Sequence, residues 1–286
     1  MSFLDHIRAC NGFEPSRFLP FYVGNLLVGR VRPGFGQMLG RWPKVFAVTD
    51  GRVGLVPGLD SFEGRTEAVA GVLDRLLEEG VIDHLQGEPY GVTPSVPEQA
   101  LMCIDRAAAP YFGVRAFGQH LNGFVREAGE LKLWIARRSA DRRNFPGKLD
   151  NLVAGGLPYG IGLHDNLLKE CWEEAGIGPD LAQPVRPVGA VSYNAETPAG
   201  FKPDTLYCYD LELPGNFIPR CMDGEVETFY LWPVEKVMEI IRESDEFKLN
   251  CNLVVIDFMI RHGYIGPQDE DYLALLQGLR PPPSLL

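Results

Sequence analysis

Three glutamates, Glu170, Glu173 and Glu174, stand at i, i+3 and i+4 in the second half of this 286-residue chain. At about 100° per residue a helix turns all three carboxylates to one side, and like charges so spaced destabilise an isolated helix by a few tenths of a kcal/mol per pair. An added cation removes that repulsion. Oxygen donors suit a hard divalent ion, Mg²⁺ or Mn²⁺, and Mg²⁺ favours few carboxylates completed by water and substrate phosphate. Displacement at phosphorus is the chemistry such a site performs. A solvated acidic face is the ordinary use of an ExxEE run, so the flanking sequence has to decide.

Those flanks are organised. Residues 155–177 read GGLPYGIGLHDNLLKECWEEAGI, a glycine-rich stretch followed by a helix. Gly tolerates positive φ and Pro158 offers no N–H, so the first part is a loop. Asp165 and Asn166 suit the cap and first turn of the helix, and Gly176 suits the left-handed residue that ends it. His164, Leu168, Cys171 and Ala175 fall on the side opposite the glutamates and are expected to face the core.

With its spacing, the run resembles the Nudix box, G-x5-E-x7-R-E-U-x-E-E-x-G-U with U aliphatic. Gly155 stands at the head, and Glu170, Cys171, Glu173, Glu174, Gly176 and Ile177 form the tail. Ile161 stands in place of the first Glu, and Lys169 in place of Arg. The resemblance implies that Glu170, Glu173, Glu174 and Gly155 hold the metal, that Glu174 is catalytic, and that the two departing positions support the metal-binding Glu. Lys169 keeps the charge but not the planar fork of Arg.

The longer segment IARRSADRRNFPGKLDNLVAGGLPYG, joined to the box, looks like the thiamine-pyrophosphokinase-related branch of these MutT-like hydrolases, whose members carry an N-terminal domain of their own. Implied are an α/β (α+β) fold, a Nudix α/β/α sandwich with a mixed sheet preceded by a small α/β domain, and hydrolysis of a small organic or nucleoside diphosphate to the monophosphate. Thiamine diphosphate or its oxidised forms are the implied substrates, with 8-oxo-type guanine nucleotides as an alternative. Part of the same segment is similar to isopentenyl diphosphate isomerases, which use a catalytic Cys and Glu. A non-catalytic Nudix binding module is the third reading, suggested by Ile161 and Lys169.

Further candidates lie outside the box. Arg137, Arg138, Arg142, Arg143 and Lys148 are five cations within twelve residues of an acidic chain. They end just before the glycine loop, and Arg137, Arg138 and Lys148 are candidates to bind diphosphate oxygens, although charge runs are usually solvated. Glu225 and Glu227 would share one face of a strand, and one of them could supply a further metal ligand or accept the proton of an attacking water, with a solvent-facing edge strand as the ordinary use. Tyr159, Trp172, Tyr193 and Phe145 could stack on a heteroaromatic ring, with core or rim packing as their ordinary use.

Around these residues the pattern reads as two domains, 1–110 and 111–286, divided near Pro110. The first holds a helix over Ser2–Asn11, a strand within Phe21–Val31, a helix over Pro33–Trp42, a hairpin about Asp50-Gly51, and a helix over Thr66–Glu79. The second holds a hairpin (120–127 with 131–136), a short strand over 151–154, strands over 185–193, 205–213 and 226–232, helices over 233–242 and 250–262, and a frayed PPP tail at 281–283.

Hydrophobic residues at 45% and charged ones at 23% fit a globular protein. A net charge of −11 disfavours nucleic-acid polymers and anionic membranes as partners, while a small diphosphate is compatible with a metal and a local basic patch. No apolar run reaches the ~18 residues of a membrane span, and a cytoplasmic location is expected. The six cysteines show no CxxC pair and read as reduced thiols. A homodimer is left open.

Overall fold

The computed structural model describes residues 2–282, and the tail expected at 281–283 reaches beyond them. The N-terminal part runs α1 (Phe3–Cys10), β1 (Leu19–Val23), β2 (Leu26–Val31), α2 (Pro33–Leu39), β3 (Phe46–Thr49), β4 (Arg52–Leu55), α3 (Phe62–Glu78), β5 (Pro89–Val92), β6 (Met102–Asp105) and α4 (Ala109–Phe112). Strands β2-β1-β4-β3 form one sheet, with β1 and β4 parallel, and β5 pairs with β6. Val69, Val72, Leu73 and Leu76 recur at helical spacing, so α3 presents an apolar stripe to the core that these strands share, and Ser61 caps its first turn by accepting from Gly64 N.

The remainder runs β7 (Ala116–Glu127), β8 (Glu130–Arg138), β9 (Leu149–Asn151), β10 (Val153–Gly156), α5 (Leu163–Ala175), α6 (Pro179–Ala182), β11 (Arg186–Thr197), β12 (Gly200–Glu212), β13 (Val226–Pro233), α7 (Val234–Glu243), α8 (Leu249–Arg261) and α9 (Tyr272–Gly278). Its mixed sheet is ordered β11-β12-β7-β8-β13, with β12 and β7 parallel, β10 on β7, and β9 on β8. Leu121, Leu152 and Leu211 pack with Leu167 and Cys171 of α5 on one face. Phe124, Leu133 and Leu206 pack with Val255 and Phe258 of α8 on the other. The result is a sheet between helices, an α/β/α sandwich with a separate N-terminal α/β region. Helix α1 packs by Phe3, Ile7 and Cys10 into the α8-side core, although it opens the chain.

Three local expectations differ. Glu174, expected with Glu170 and Glu173 on the face away from the core, is buried, because that edge of the helix packs against β10. Helix α5 begins at Leu163 after Gly162, so Asn166 is not a cap but lies buried inside the helix. His164 is exposed, because the first turn lies outside the packed layer. At the other end Gly176 takes φ 65°, the left-handed stop expected of it.

Candidate metal-binding active site

Strand β10 and helix α5 place the carboxylates. Asn166 Nδ2 donates to Gly156 O (2.8 Å) and to Gln119 Oε1 (2.9 Å), while Gln119 Nε2 donates to Leu163 O (2.8 Å). This amide pair fastens the start of α5 to the glycine loop and to β7. One and two turns later, Glu170 and Glu174 meet β10. Glu174 is buried, and its Oε2 accepts from Ala154 N at 2.7 Å. At Gly155 a Cβ would lie 2.3 Å from Glu170 Cδ and 2.6 Å from Oε2, so the carboxylate occupies the space that a side chain would take. Only glycine allows this approach. Gly155→Ala is therefore expected to push the Glu170 carboxylate away and lower kcat at least about tenfold, with little change in Tm, since displacing a reacting group by ~1 Å is that costly. Steady-state kinetics and a thermal melt check it.

The charge balance of the pair is incomplete. Among the described residues no Lys or Arg pairs with Glu174. Burial, then the neighbouring charges of Glu170 and Asp150, push its carboxyl up to about 8. Glu170 is also raised, first by burial, with Lys169 opposing. Lys169 Nζ lies 3.4 Å from Glu170 Oε1 and 2.6 Å from Glu173 Oε2, leaving Glu173 at the rim. Two adjacent, mostly buried carboxylates without enough positive charge fit a hard divalent cation, with Glu173 able to add an oxygen.

A pH dependence follows for cation-free protein. The folded chain keeps the Glu174 proton up to about pH 8, whereas an unfolded glutamate loses it near its ordinary 4.5. Stability therefore declines by a few kcal/mol as pH rises between those values. A divalent ion replaces that proton, so Mg²⁺ should raise Tm more at pH 8 than at pH 6. Thermal melts with and without chelator measure both effects.

The other sequence candidates separate. Glu225 belongs near the cluster, since its charge raises both Glu170 and Glu174. It is ion-paired with Arg142, and its carbonyl accepts from Ser139 N. Glu227 is exposed on β13. The two do not share a strand face, because β13 starts at Val226 and its register shifts between Val226 and Thr228.

The basic segment is spent on other partners. Arg137 binds Gly147 O (2.7 Å) and Glu246 (3.3 Å), and Lys148 binds Asp245 (3.2 Å). Arg138 is buried against Asp150 at 2.8 Å, and Arg143 pairs with Asp83 of the N-terminal region. As placed, Arg137, Arg138 and Lys148 brace the 139–148 loop and the sheet. Of the aromatics, Tyr193 is buried with its hydroxyl on Asp204 (2.6 Å) and Tyr159 stacks on Phe62, while Trp172 and Phe145 are exposed.

Sequence reasoning missed a second polar cluster. His120, Asp150 and Cys251 bring a nitrogen, a carboxylate oxygen and a sulfur within 4.8 Å of one another, all buried. Arg138 (2.8 Å) and Lys248 (3.2 Å) already neutralise Asp150, and His120 Nδ1 is engaged by Asn151 Oδ1 at 2.8 Å. Two cations at the same carboxylate oppose a metal there, so the group is a satisfied buried network. Its members come from β7, β8, β9 and α8, and no local motif could announce them.

Comparison with known proteins agrees with this geometry. The NUDIX domain family matches residues 122–251, and a domain of unknown function, DUF4743, matches residues 2–116. Nudix hydrolase 20, chloroplastic, of Arabidopsis thaliana is 44% identical over 289 residues, spanning 97% of this chain and 77% of that protein. Nudix hydrolase 24, chloroplastic, of the same plant is 45% identical over 282 residues, again 97% and 77%. An uncharacterized Saccharomyces cerevisiae protein is 33% identical over 236 residues, 76% of this chain and 68% of that one. With the glycine loop, the glutamate helix and relatives similar along almost all its length, the chain belongs to the Nudix hydrolase family, enzymes that act on pyrophosphate bonds.

Proposed function

We propose that this protein cleaves the diphosphate of a small organic or nucleoside diphosphate to the monophosphate in a reaction that needs Mg²⁺ or Mn²⁺. The observation that carries the reading is the buried Glu174, with no cation of its own, beside Glu170, which rests against the glycine loop and shares Lys169 with Glu173. Glu170 and Glu174, with Glu173 and the Gly155 backbone, would hold the ion. When bound, such an ion offsets charge on phosphate oxygens and makes a water more acidic. The chain supplies the rest. Gln119 and Asn166 keep loop and helix in register, and Glu225, which is ion-paired with Arg142, would take the proton of the attacking water. Positioning and charge stabilisation are what displacement at phosphorus requires.

Thiamine diphosphate or its oxidised forms are the preferred substrates, on the likeness of the FPGKLDNLVAGG run to the thiamine-pyrophosphokinase-related branch. The isomerase reading needs a reactive cysteine. Cys171, on the same helix, is buried and its thiol is pushed up to about 12 by that burial, which leaves little nucleophilic thiolate.

The test is product analysis by chromatography across thiamine diphosphate, its oxidised forms, 8-oxo-guanine nucleotides, ADP-ribose and isopentenyl diphosphate. Monophosphate formed with Mg²⁺ and lost on chelation is the expected result. Rearranged isopentenyl diphosphate, or binding with no turnover of any compound, refutes the hydrolase.

A further inference from the structure

The N-terminal α/β region reaches the glycine loop itself. Tyr159 N donates to Pro89 O of β5 at 2.8 Å, and the Tyr159 ring stacks on Phe62 with centroids 4.9 Å apart. Between them, a Cβ on Gly156 would lie 2.2 Å from the Tyr90 hydroxyl and 3.1 Å from Arg106 Nη1. Both groups therefore rest directly on the backbone that follows Gly155. Consecutive strand residues face opposite ways and their Cα atoms are only ~3.8 Å apart. The Glu170 carboxylate and an arginine from another part of the chain thus grip one dipeptide from its two sides. Tyr90 feels the charge of Arg106 and also that of Glu170.

Arg106 is held but not used up. Its Nη1 donates to Glu88 Oε2 at 2.7 Å, and its guanidinium carbon lies 5.4 Å from the centre of the Tyr90 ring. Nε and Nη2 make no hydrogen bond among the described residues, and 40% of the side chain is exposed. The five cations between 137 and 148 are likewise each paired with a carboxylate, three of them with Glu246, Asp245 and Asp83 on the surface, and among the described residues none of the five bonds to the glycine loop. A planar guanidinium whose Nε and Nη2 edge is free, beside a cation-holding loop, is suited to phosphate oxygens.

We infer that Arg106 is a substrate-binding residue of the Nudix site, contacting a phosphate oxygen of the diphosphate, and that the N-terminal region thereby completes the site. Tyr90 and Glu88 are its positioning residues. The inference rests on the hydrolase reading above.

The test uses the full chain and the diphosphate it turns over fastest in the panel. Arg106→Ala should raise KM about tenfold or more with kcat within threefold and Tm unchanged, and Arg106→Lys should recover part of the loss, because a cation without the fork keeps some phosphate affinity. Glu174→Gln is assayed alongside. An unchanged KM in Arg106→Ala while Glu174→Gln loses turnover overturns this inference and leaves the hydrolase standing. A fall in kcat and Tm together that lysine does not repair assigns Arg106 a merely structural role and also overturns it. Absence of turnover with every diphosphate removes both readings.

Discussion

Glu174→Gln is expected to lower kcat by about 10²–10³-fold or more, the range seen when one preorganised electrostatic group is removed from a site. The fold should not suffer. A glutamine at this position keeps an oxygen to accept from Ala154 N, which the native carboxylate bonds at 2.7 Å. It also removes a buried group whose ionisation burial opposes, so the variant should melt at or above the native temperature in chelator. In Mg²⁺ the order should reverse, because the native chain gains from the ion and the variant gains less. Turnover within threefold of native, measured as monophosphate release at saturating substrate, would take the helix out of the mechanism.

The largest effect on stability belongs to Asp150→Ala. Its carboxylate is almost completely buried, holding Arg138 at 2.8 Å and Lys248 at 3.2 Å, and the Cys251 thiol donates to it. Removing it leaves two cations facing each other beneath the sheet. Breaking a buried pair from one side costs about 3–5 kcal/mol, and urea denaturation at pH 7 should show a loss in that range. Asp150→Asn, which keeps acceptor and volume, should cost less. Burial alone would raise the Asp150 pKa, but Lys248, His120 and Arg138 outweigh it and hold it near 2. Its contribution is thus complete above the ordinary aspartate range and is lost as pH falls through about 2, so native and Asp150→Ala curves should converge only in strong acid. A loss under 1 kcal/mol at pH 7 would show that water reaches the network.

Helix α5 shows how far sequence could be read. Its carboxylates, its stop at Gly176 and the glycine loop before it are local features, set by 3.6-residue periodicity and by φ freedom at single positions. Its first turn was not legible, because Asn166 has the chemistry of a cap, and it is Gly156 O and Gln119, the latter forty-seven residues away, that turn it inward. The same limit applies to Glu225 and Glu227. Strand alternation puts them on one face, and a register shift against β8 separates them. Arg137, Arg138 and Lys148 read as phosphate ligands because their partners, Glu246, Asp150 and Asp245, are visible only once β8, β9 and the connection from α7 to α8 are packed together.

From sequence alone came most of the longer helices and strands, though not β5, β6, α4, α6 or α9, together with the pairing of glycine loop with glutamate helix, and thereby the family and the class of bond attacked. These depend on neighbours within a turn or two, so local sterics and spacing suffice to specify them. Which charges stay available to a ligand was decided only by the tertiary structure. Ion pairs form between groups that are distant in sequence, and it is their burial and partners, as at Asp150, Glu174 and Arg106, that set whether a charge is spent or free.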